Sequence, residues 1–488
     1  MFRPILTTAL ALALVAPAYA QDTNGYPPIP PASTLLPLKT PTLSGGAYTT
    51  LSSDLGYDLC VTTGAQVATI TLMSATAAGA GATQIIQKCD ARSSIAVSGA
   101  ASLGGLIELP VASTTGLSAN EYVDIAGVSG TYEANGTYQI SSVVDSTHIS
   151  LLNSTFINAY VSGGTVTAGQ VQVTDGTNQL AWLTQGPLSS AGGPDVVVMQ
   201  SNGTSWAPIG WNIAPLFQVF SPGTQTYVKP PLLASLDLKM FGAGGGGGSG
   251  GVEATSTAAG GGGSGSGGTC VVRTGFPASI IGATETVTVA AGGAGGAAQS
   301  TASTAGTAGG TPATTSFGAH MIAFGGAGGG AGSTTAGGGG GTFAAFSNYG
   351  TCGGTGAAGS ATGAGANGNG NPVGQGGGGG AVSSANTAYA GGNGSNSNIF
   401  GTQLGAVTGG AIQTSGGAGA SISDPRDQDG GGGGAGGGGG LSANAGAGGA
   451  GGWPGASGGG GGGARNGFSS GAGGTGAGGQ VRVLSRFN

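Results

Sequence analysis

Gly242-Ala243-Gly-Gly-Gly-Gly-Gly-Ser249-Gly-Gly251 opens a glycine-rich segment that ends at Gly479 and holds most of the 114 glycines of the chain. Composition alone predicts disorder for such a segment. Collagen is excluded because no strict Gly-X-Y period is present. A phosphate-binding loop is excluded because the segment contains no lysine. Glycine lacks a side chain, so extended strands can approach one another on all sides, which predicts a bundle of polyproline II-like glycine strands.

Strand patterns at both ends of the segment, and inside it, favour the bundle over disorder. Residues 236–240 alternate between apolar and polar just before it, and residues 480–484 do so just after it. We predict that these two stretches pair with each other. We call the place where the chain enters and leaves the glycine-rich segment, at 236–240 and 480–484, its mouth. Inside the segment, residues 284–289 have the composition of a strand, and apolar islands lie at 316–324 and 342–346. Flexible linkers do not carry such features, so the segment is predicted to be a folded domain.

The residues upstream of the glycine-rich segment predict an all-β chain built from small β-sandwich or barrel modules. Residues 67–72 alternate with the period of a strand, and Asn202-Gly203 is a two-residue hairpin turn. We predict one β module that is interrupted by an insertion, and three independent modules in a row are the alternative. The predicted units are a signal-peptide-like segment at 1–20, a Pro-rich linker at 21–41, a β module at 42–93 plus 169–213, an inserted β module at 94–168 and a glycine-rich domain at 214–488.

The first twenty residues have the pattern of a secretory signal peptide. Arg3 supplies a positive charge, an apolar run follows from Ile5 to Ala16, and small residues precede a cleavage point after Ala20. A buried helix at an uncleaved N-terminus is the alternative. The rest of the sequence contains no run of 18 apolar residues, so no transmembrane span is predicted.

Charge and cysteine usage exclude several classes of partner and cofactor. Only 6% of the 488 residues are charged and the net charge is −6, so no basic patch is available for a nucleic acid. The four cysteines form no C-x-x-C motif and only two histidines exist, so neither a metal site nor a cofactor is predicted. Cys60 and Cys89 flank apolar runs within one module and are a candidate disulfide, with buried free thiols as the alternative. A pairing of Cys270 with Cys352 has weaker support.

The sequence predicts no catalytic site. Residues 247–251 formally match G-x-S-x-G, but such a match is expected by chance in this composition, and no strand–serine–helix context surrounds it. An extracellular enzyme such as a polysaccharide depolymerase is a further class to consider. It would need paired carboxylates or a catalytic triad, and neither is evident in the sequence. A few large side chains in the glycine-rich domain are instead candidate contacts with a receptor, because aromatic and arginine residues carry contact energy. A role as plugs between glycine strands is the alternative for these residues, which are Tyr349, Phe400, Arg426, Asp427, Trp453, Arg465 and Phe468.

Two parts of the chain resemble known modules. Residues 124–138, which read DIAGVSGTYEANGTY, together with residues 162–166 resemble a small β module of many bacteriophage tail proteins. This module is FCCH-like, which means that it is similar to the FCCH domain of ubiquitin-activating enzymes. This resemblance covers residues 94–168 and implies a spacer without ubiquitin chemistry. Residues 217–488 resemble the glycine-rich tip domain of bacteriophage tail-fibre proteins, through the aromatic strand that enters the glycine run, the ETVTVAAGGAGG strand and the short closing strand.

The second resemblance implies a function that the composition does not supply. It implies a structural, non-catalytic virion protein of the phage tail that recognises a host cell-surface receptor, protein or glycan, through its tip. It also implies a homotrimer that contacts other tail proteins. The signal-like N-terminus departs from this pattern, because virion proteins assembled in the cytoplasm do not need one. A secreted bacterial glycine-rich adhesin or matrix protein is therefore the alternative.

Overall fold

A computed structural model describes residues 36–184, 195–341, 355–368, 373–397, 404–426 and 430–487. The prediction of an all-β chain is confirmed, since the only α-helix in these ranges is the single turn Ala75–Ala78. Two 3₁₀ turns lie at Ser52–Asp54 and Tyr132–Ala134.

The strands concentrate before residue 325 and in the last residues of the chain. In chain order they are β1 (Leu38–Lys39), β2 (Ala47–Thr49), β3 (Asp58–Val61), β4 (Val67–Thr71), β5 (Thr83–Lys88), β6 (Ser93–Ala96), β7 (Ala101–Leu103), β8 (Leu106–Pro110), β9 (Tyr122–Ala126), β10 (Gly136–Val143), β11 (His148–Leu151), β12 (Thr165–Ala168) and β13 (Gln170–Thr174). They continue with β14 (Gln179–Leu183), β15 (Val196–Ser201), β16 (Trp206–Asn212), β17 (Leu216–Phe220), β18 (Gly223–Val228), β19 (Ser235–Phe241), β20 (Val252–Glu253), β21 (Cys270–Pro277), β22 (Thr284–Val289), β23 (Thr315–Phe317), β24 (Met321–Ala323), β25 (Ala464–Arg465) and β26 (Gln480–Arg486).

The first module is a sandwich whose sheets each draw strands from both sides of the insertion. One sheet has the order β1-β3-β5-β15-β16 and the other β14-β13-β4-β2. Alternate residues such as Leu59, Ile70 and Val197 point into one shared, fully buried core. A disulfide joins Cys60 to Cys89 across this module, with their Cα atoms 5.3 Å apart. Strands β6 to β12 therefore lie between two halves of a single sandwich.

The inserted unit is an open sheet that continues into the sheet of the glycine-rich domain. Its strands follow the order β6-β12-β9-β10-β11-β8-β7, and β10 also pairs with β17. Residues just beyond β6 and β8 meet at one isolated bridge, Val97–Val111. One bridge does not close a sheet, and no sheet of the described ranges forms a barrel. Only the sandwich form of the predicted modules is therefore found.

The predicted pairing across the mouth of the glycine segment is confirmed. Strand β26 lies between β17 and β19 and is antiparallel to both, with Phe241 opposite Gln480. The sheet that they form packs against a second sheet of order β18-β22-β23-β24. Val481 and Val483 are fully buried in the core between these sheets. The glycine segment thus begins and ends on neighbouring strands.

Beyond this sheet the glycine segment forms a close-packed lattice of extended chains, which we call glycine strands. Every third residue of strand 242–251 bonds to the same neighbour, as expected for a polyproline II-like chain with three residues per turn. Its N–H groups donate in rotation to three strands, which are 471–479, 259–268 and 305–313. Its carbonyl groups accept from three others, which are 325–332, 291–297 and 455–464. Strand 242–251 therefore has six hydrogen-bonded neighbours.

Residue identity follows position in this lattice. The six-neighbour strand 242–251 is buried throughout and contains only Gly, Ala and Ser. Strand 291–297 lies at the surface, where Ala291, Ala294 and Ala297 face solvent and Gly293 and Gly296 face inwards. A side chain at every third position thus marks the outer face of a surface strand.

Lack of space, rather than backbone conformation, requires glycine inside the lattice. A Cβ built on Gly247 would lie closer than 3.0 Å to the carbonyl oxygen of Gly459, and one on Gly460 would meet the carbonyl of Gly262 in the same way. Neither glycine has a φ in the left-handed region. At Gly338, on a surface strand, nothing lies within 4 Å of such a Cβ.

Candidate functional site

The glycine strands run alternately away from the sheet at the mouth and back towards it. Strand 242–251 leaves β19, whereas strand 259–268 returns to β21, and Gly251 donates to Gly260 at the far end. The turns at that far end form one surface, which we call the distal face. It comprises residues 252–258, 298–304, 333–335, 360–363, 383–387, 411–414, 441–444 and 465–469.

The distal face is rich in hydroxyl and amide side chains. Thr255, Ser300, Thr334, Ser384 and Asn466 are among its exposed residues. These side chains both donate and accept hydrogen bonds. The exposed groups of the face can therefore form hydrogen bonds in either direction.

In four turns of the distal face, a residue other than glycine adopts a backbone conformation that would strain glycine less. Ser256, Ser303, Asn386 and Gln413 have φ values of 70°, 53°, 58° and 63°, in the left-handed region. That conformation costs a non-glycine residue about 1–2 kcal/mol. Glycine is the commonest residue around these turns, so its absence at these positions is informative. Such strain is a reason to suspect function.

The two ionisable residues of the distal face are buried beside each other. Glu253 on β20 and Arg465 on β25 are paired in register, and they are 6% and 4% exposed. Burial raises the pKa of the Glu253 carboxyl, and the Arg465 guanidinium partly opposes that rise. Arg465 donates to the carbonyl oxygens of Ala254, Thr257 and Ser383. It ties two turns together and is almost inaccessible, which favours the alternative role of a plug between glycine strands.

Arg426 and Trp453 lie at the opposite end of the lattice, against the inserted unit. The Arg426 guanidinium pairs with Asp124 and lies 5.6 Å from the ring centre of Phe217. Trp453 is 3% exposed in the core shared with the inserted unit, and its Nε1 donates to the carbonyl of Gly479 at 3.1 Å. Both side chains contact other parts of this chain, and Arg426 is still exposed.

Phe468 is the one described candidate that keeps an accessible side chain on the distal face. It is half-buried in the turn that follows Arg465, to whose carbonyl its N–H donates at 3.1 Å. The other candidates, Tyr349, Phe400 and Asp427, lie outside the described residues, as does Cys352.

No protein-family model and no curated protein matches this chain.

The sequence-based choice of large side chains missed the hydroxyl and amide residues of this face. A usable signal was present, because Ser, Thr and Asn cluster where the three-residue glycine pattern breaks, as in residues 383–387. Those breaks are the turns between glycine strands.

The serine of the G-x-S-x-G match is not placed as a nucleophile. Ser249 is fully buried in a six-neighbour strand, and its Oγ accepts a hydrogen bond from the Thr307 N–H at 2.7 Å. The described residues contain no cluster of three or more His, Cys, Asp or Glu that could hold a metal ion. They also contain no helix long and apolar enough to cross a membrane.

The carboxyl group of Asp58, in the first module, is expected to make the free energy of unfolding depend on pH. It is fully buried on β3, neither carboxylate oxygen has a hydrogen-bond partner in the described part of the chain, and burial raises its pKa to about 6. Because the folded pKa lies above the unfolded value, ionising Asp58 costs stability as the pH rises through about 4 to 6. We expect Asp58→Asn to raise the free energy of unfolding at pH 7.5 by about 2–3 kcal/mol, and hardly at pH 3.5.

Denaturant unfolding at the two pH values measures this difference. Asp175→Asn is the control of opposite sign, because backbone N–H groups of Asn178 and Thr177 lower the pKa of Asp175. Equal effects of Asp58→Asn at both pH values would contradict the assignment.

Proposed function

We propose that this chain is a non-catalytic adhesin, the receptor-binding subunit of a bacteriophage tail fibre, and that the distal face contacts the host cell surface. The observation that carries the proposal is the set of strained side chains at Ser256, Ser303, Asn386 and Gln413. Glycine would adopt the same conformation at these turns with less strain.

The remaining architecture suits this function. The glycine segment begins and ends on neighbouring strands of one sheet, and the turns between its glycine strands collect at the far end of a close-packed lattice. The turns are therefore held by a rigid support. Rigid presentation lowers the entropy lost on binding. The β modules at 42–93 plus 169–213 and at 94–168 then act as the attachment and spacer, next to other tail proteins. Assembly as a homotrimer is part of the proposal through the resemblance to tail-fibre tips.

The triple variant Ser256→Gly, Ser303→Gly and Asn386→Gly tests the proposal. Glycine relieves the left-handed strain, so we expect an unchanged or slightly higher melting temperature. Removal of three contact side chains is expected to weaken binding of labelled protein to susceptible bacterial cells by at least about tenfold. Cell binding and thermal unfolding are measured on the same samples.

A flank variant is the matched control. Ala291→Gly, Ala294→Gly and Ala308→Gly change three exposed residues on the side of the lattice, away from the distal face. We expect binding to persist and stability to fall slightly, because glycine gains entropy in the unfolded chain. If the distal triple variant binds cells as well as the flank variant does, the distal face is not the adhesive surface.

A secreted bacterial adhesin or matrix protein is the second candidate, and the signal-like residues 1–20 favour it. Mass spectrometry of the N-terminus separates the two. A chain that begins at Gln21 in culture medium without virions would overturn the virion assignment. An intact Met1 in purified phage particles would overturn secretion.

A further inference from the structure

We infer that the distal face recognises an uncharged, hydroxyl-rich polymer, which is a neutral glycan of the cell surface. This inference rests on the proposed adhesin function and names its ligand class.

The described distal face exposes no charged side chain. The sequence contains no Asp, Glu, Lys or Arg between Glu285 and Asp424, a stretch that supplies most of the distal turns. The two ionisable residues of the face, Glu253 and Arg465, have opposite signs, lie on paired strands and are almost inaccessible. A charged ligand would lose hydration on this surface and gain no opposite charge in return. Phosphate-rich and acidic ligands are therefore disfavoured.

The side chains that the distal face exposes favour a glycan over a protein as its ligand. Protein interfaces take most of their binding energy from Trp, Tyr and Arg, and serine and threonine are under-represented among such hot spots. The described distal face instead exposes hydroxyl and amide groups, and its larger apolar groups include Ile412, which is 50% exposed, and the half-buried Phe468. Sugar hydroxyls donate and accept as Ser, Thr and Asn side chains do, so the two surfaces match group for group.

The side chains of the distal turns are preorganised for binding. Ser and Thr have short side chains and lose little rotamer freedom on binding, unlike Lys, Arg or Gln. Ser256, Ser303 and Asn386 are also held in a conformation that the surrounding turns impose. Individually weak hydrogen bonds can then add up, particularly when the ligand is a repeating polymer that reaches several turns at once.

The test uses the full-length protein and whole bacterial cells that bind it. Raising NaCl from about 50 to about 500 mM is expected to change binding by less than about twofold, because the distal face exposes no charge that salt could screen. Periodate, which cleaves the vicinal diols of sugars, is expected to reduce binding to treated cells by at least about tenfold. Digestion of the cells with proteinase K is expected to leave binding intact.

The other possible outcomes overturn either the glycan inference alone or the adhesin proposal as well. Binding that is lost after proteinase K but survives periodate would show a protein receptor and overturn the glycan inference, while the adhesin proposal would stand. A loss of about tenfold or more on adding salt would show a charged ligand and also overturn the inference. Failure to bind any bacterial cell, with the protein folded, would overturn the adhesin proposal and this inference with it.

Discussion

Gly247→Ala is expected to unfold the glycine-rich domain, whereas Gly338→Ala is expected to leave it folded. A Cβ at Gly247 meets the carbonyl of Gly459, which belongs to another interior strand. Neither backbone can retreat, because both strands are bonded to neighbours on all sides. Overpacking against side chains costs about 1–3 kcal/mol, and a clash with an enclosed backbone is expected to cost more. Thermal unfolding followed by circular dichroism measures the effect.

Gly338→Ala is the control because it adds the same methyl group at the lattice surface. No atom lies within 4 Å of the new Cβ, and the φ of Gly338 is not in the left-handed region. Alanine restricts the unfolded chain, so we expect a gain of about 0.4–1 kcal/mol in the free energy of unfolding. Similar losses at Gly247 and Gly338 would mean that the interior of the segment is not a close-packed lattice.

The sequence predicted the lattice and its mouth because both depend on local pattern. Alternation at 236–240 and 480–484 identified two strands, and their position on either side of one segment identified them as partners. The lack of side chains larger than those of Ala and Ser in 242–251 predicted close approach. These inferences need only the period of a strand and the size of glycine.

The placement of the large side chains could not be predicted in the same way. Glycine repeats are nearly identical, so they carry little information about which strands are neighbours or where each turn lies. Trp453 packs against the inserted unit, and Arg426 pairs with Asp124, which is about 300 residues earlier in the chain. Such contacts between distant parts of the chain cannot be read from local pattern, and neither can the gathering of small polar residues at one end of the lattice.

Deleting residues 480–488 is expected to abolish soluble, folded protein. This deletion removes β26, which lies between β17 and β19, and leaves both strands with an unpaired edge. Exposed strand edges promote aggregation. It also removes Phe487, whose side chain is buried in the core of the first module and whose carbonyl accepts from the Trp211 indole. A single strand at the end of the chain thus supports the sandwich, the mouth and the lattice together.

Two point variants separate these roles. Phe487→Ala leaves β26 paired and removes only the side chain from the core of the first module, so we expect a loss of about 3–5 kcal/mol. Arg486→Ala removes an ion pair with Asp237 whose arginine side chain is 45% exposed, so we expect a loss below about 1 kcal/mol. Soluble yield, size-exclusion chromatography and denaturant unfolding rank the three variants. A truncated chain that keeps the oligomeric state and the circular dichroism spectrum of the full-length chain would show that the lattice holds its ends without β26. The strand pair at the mouth would then be a consequence of the lattice rather than its support.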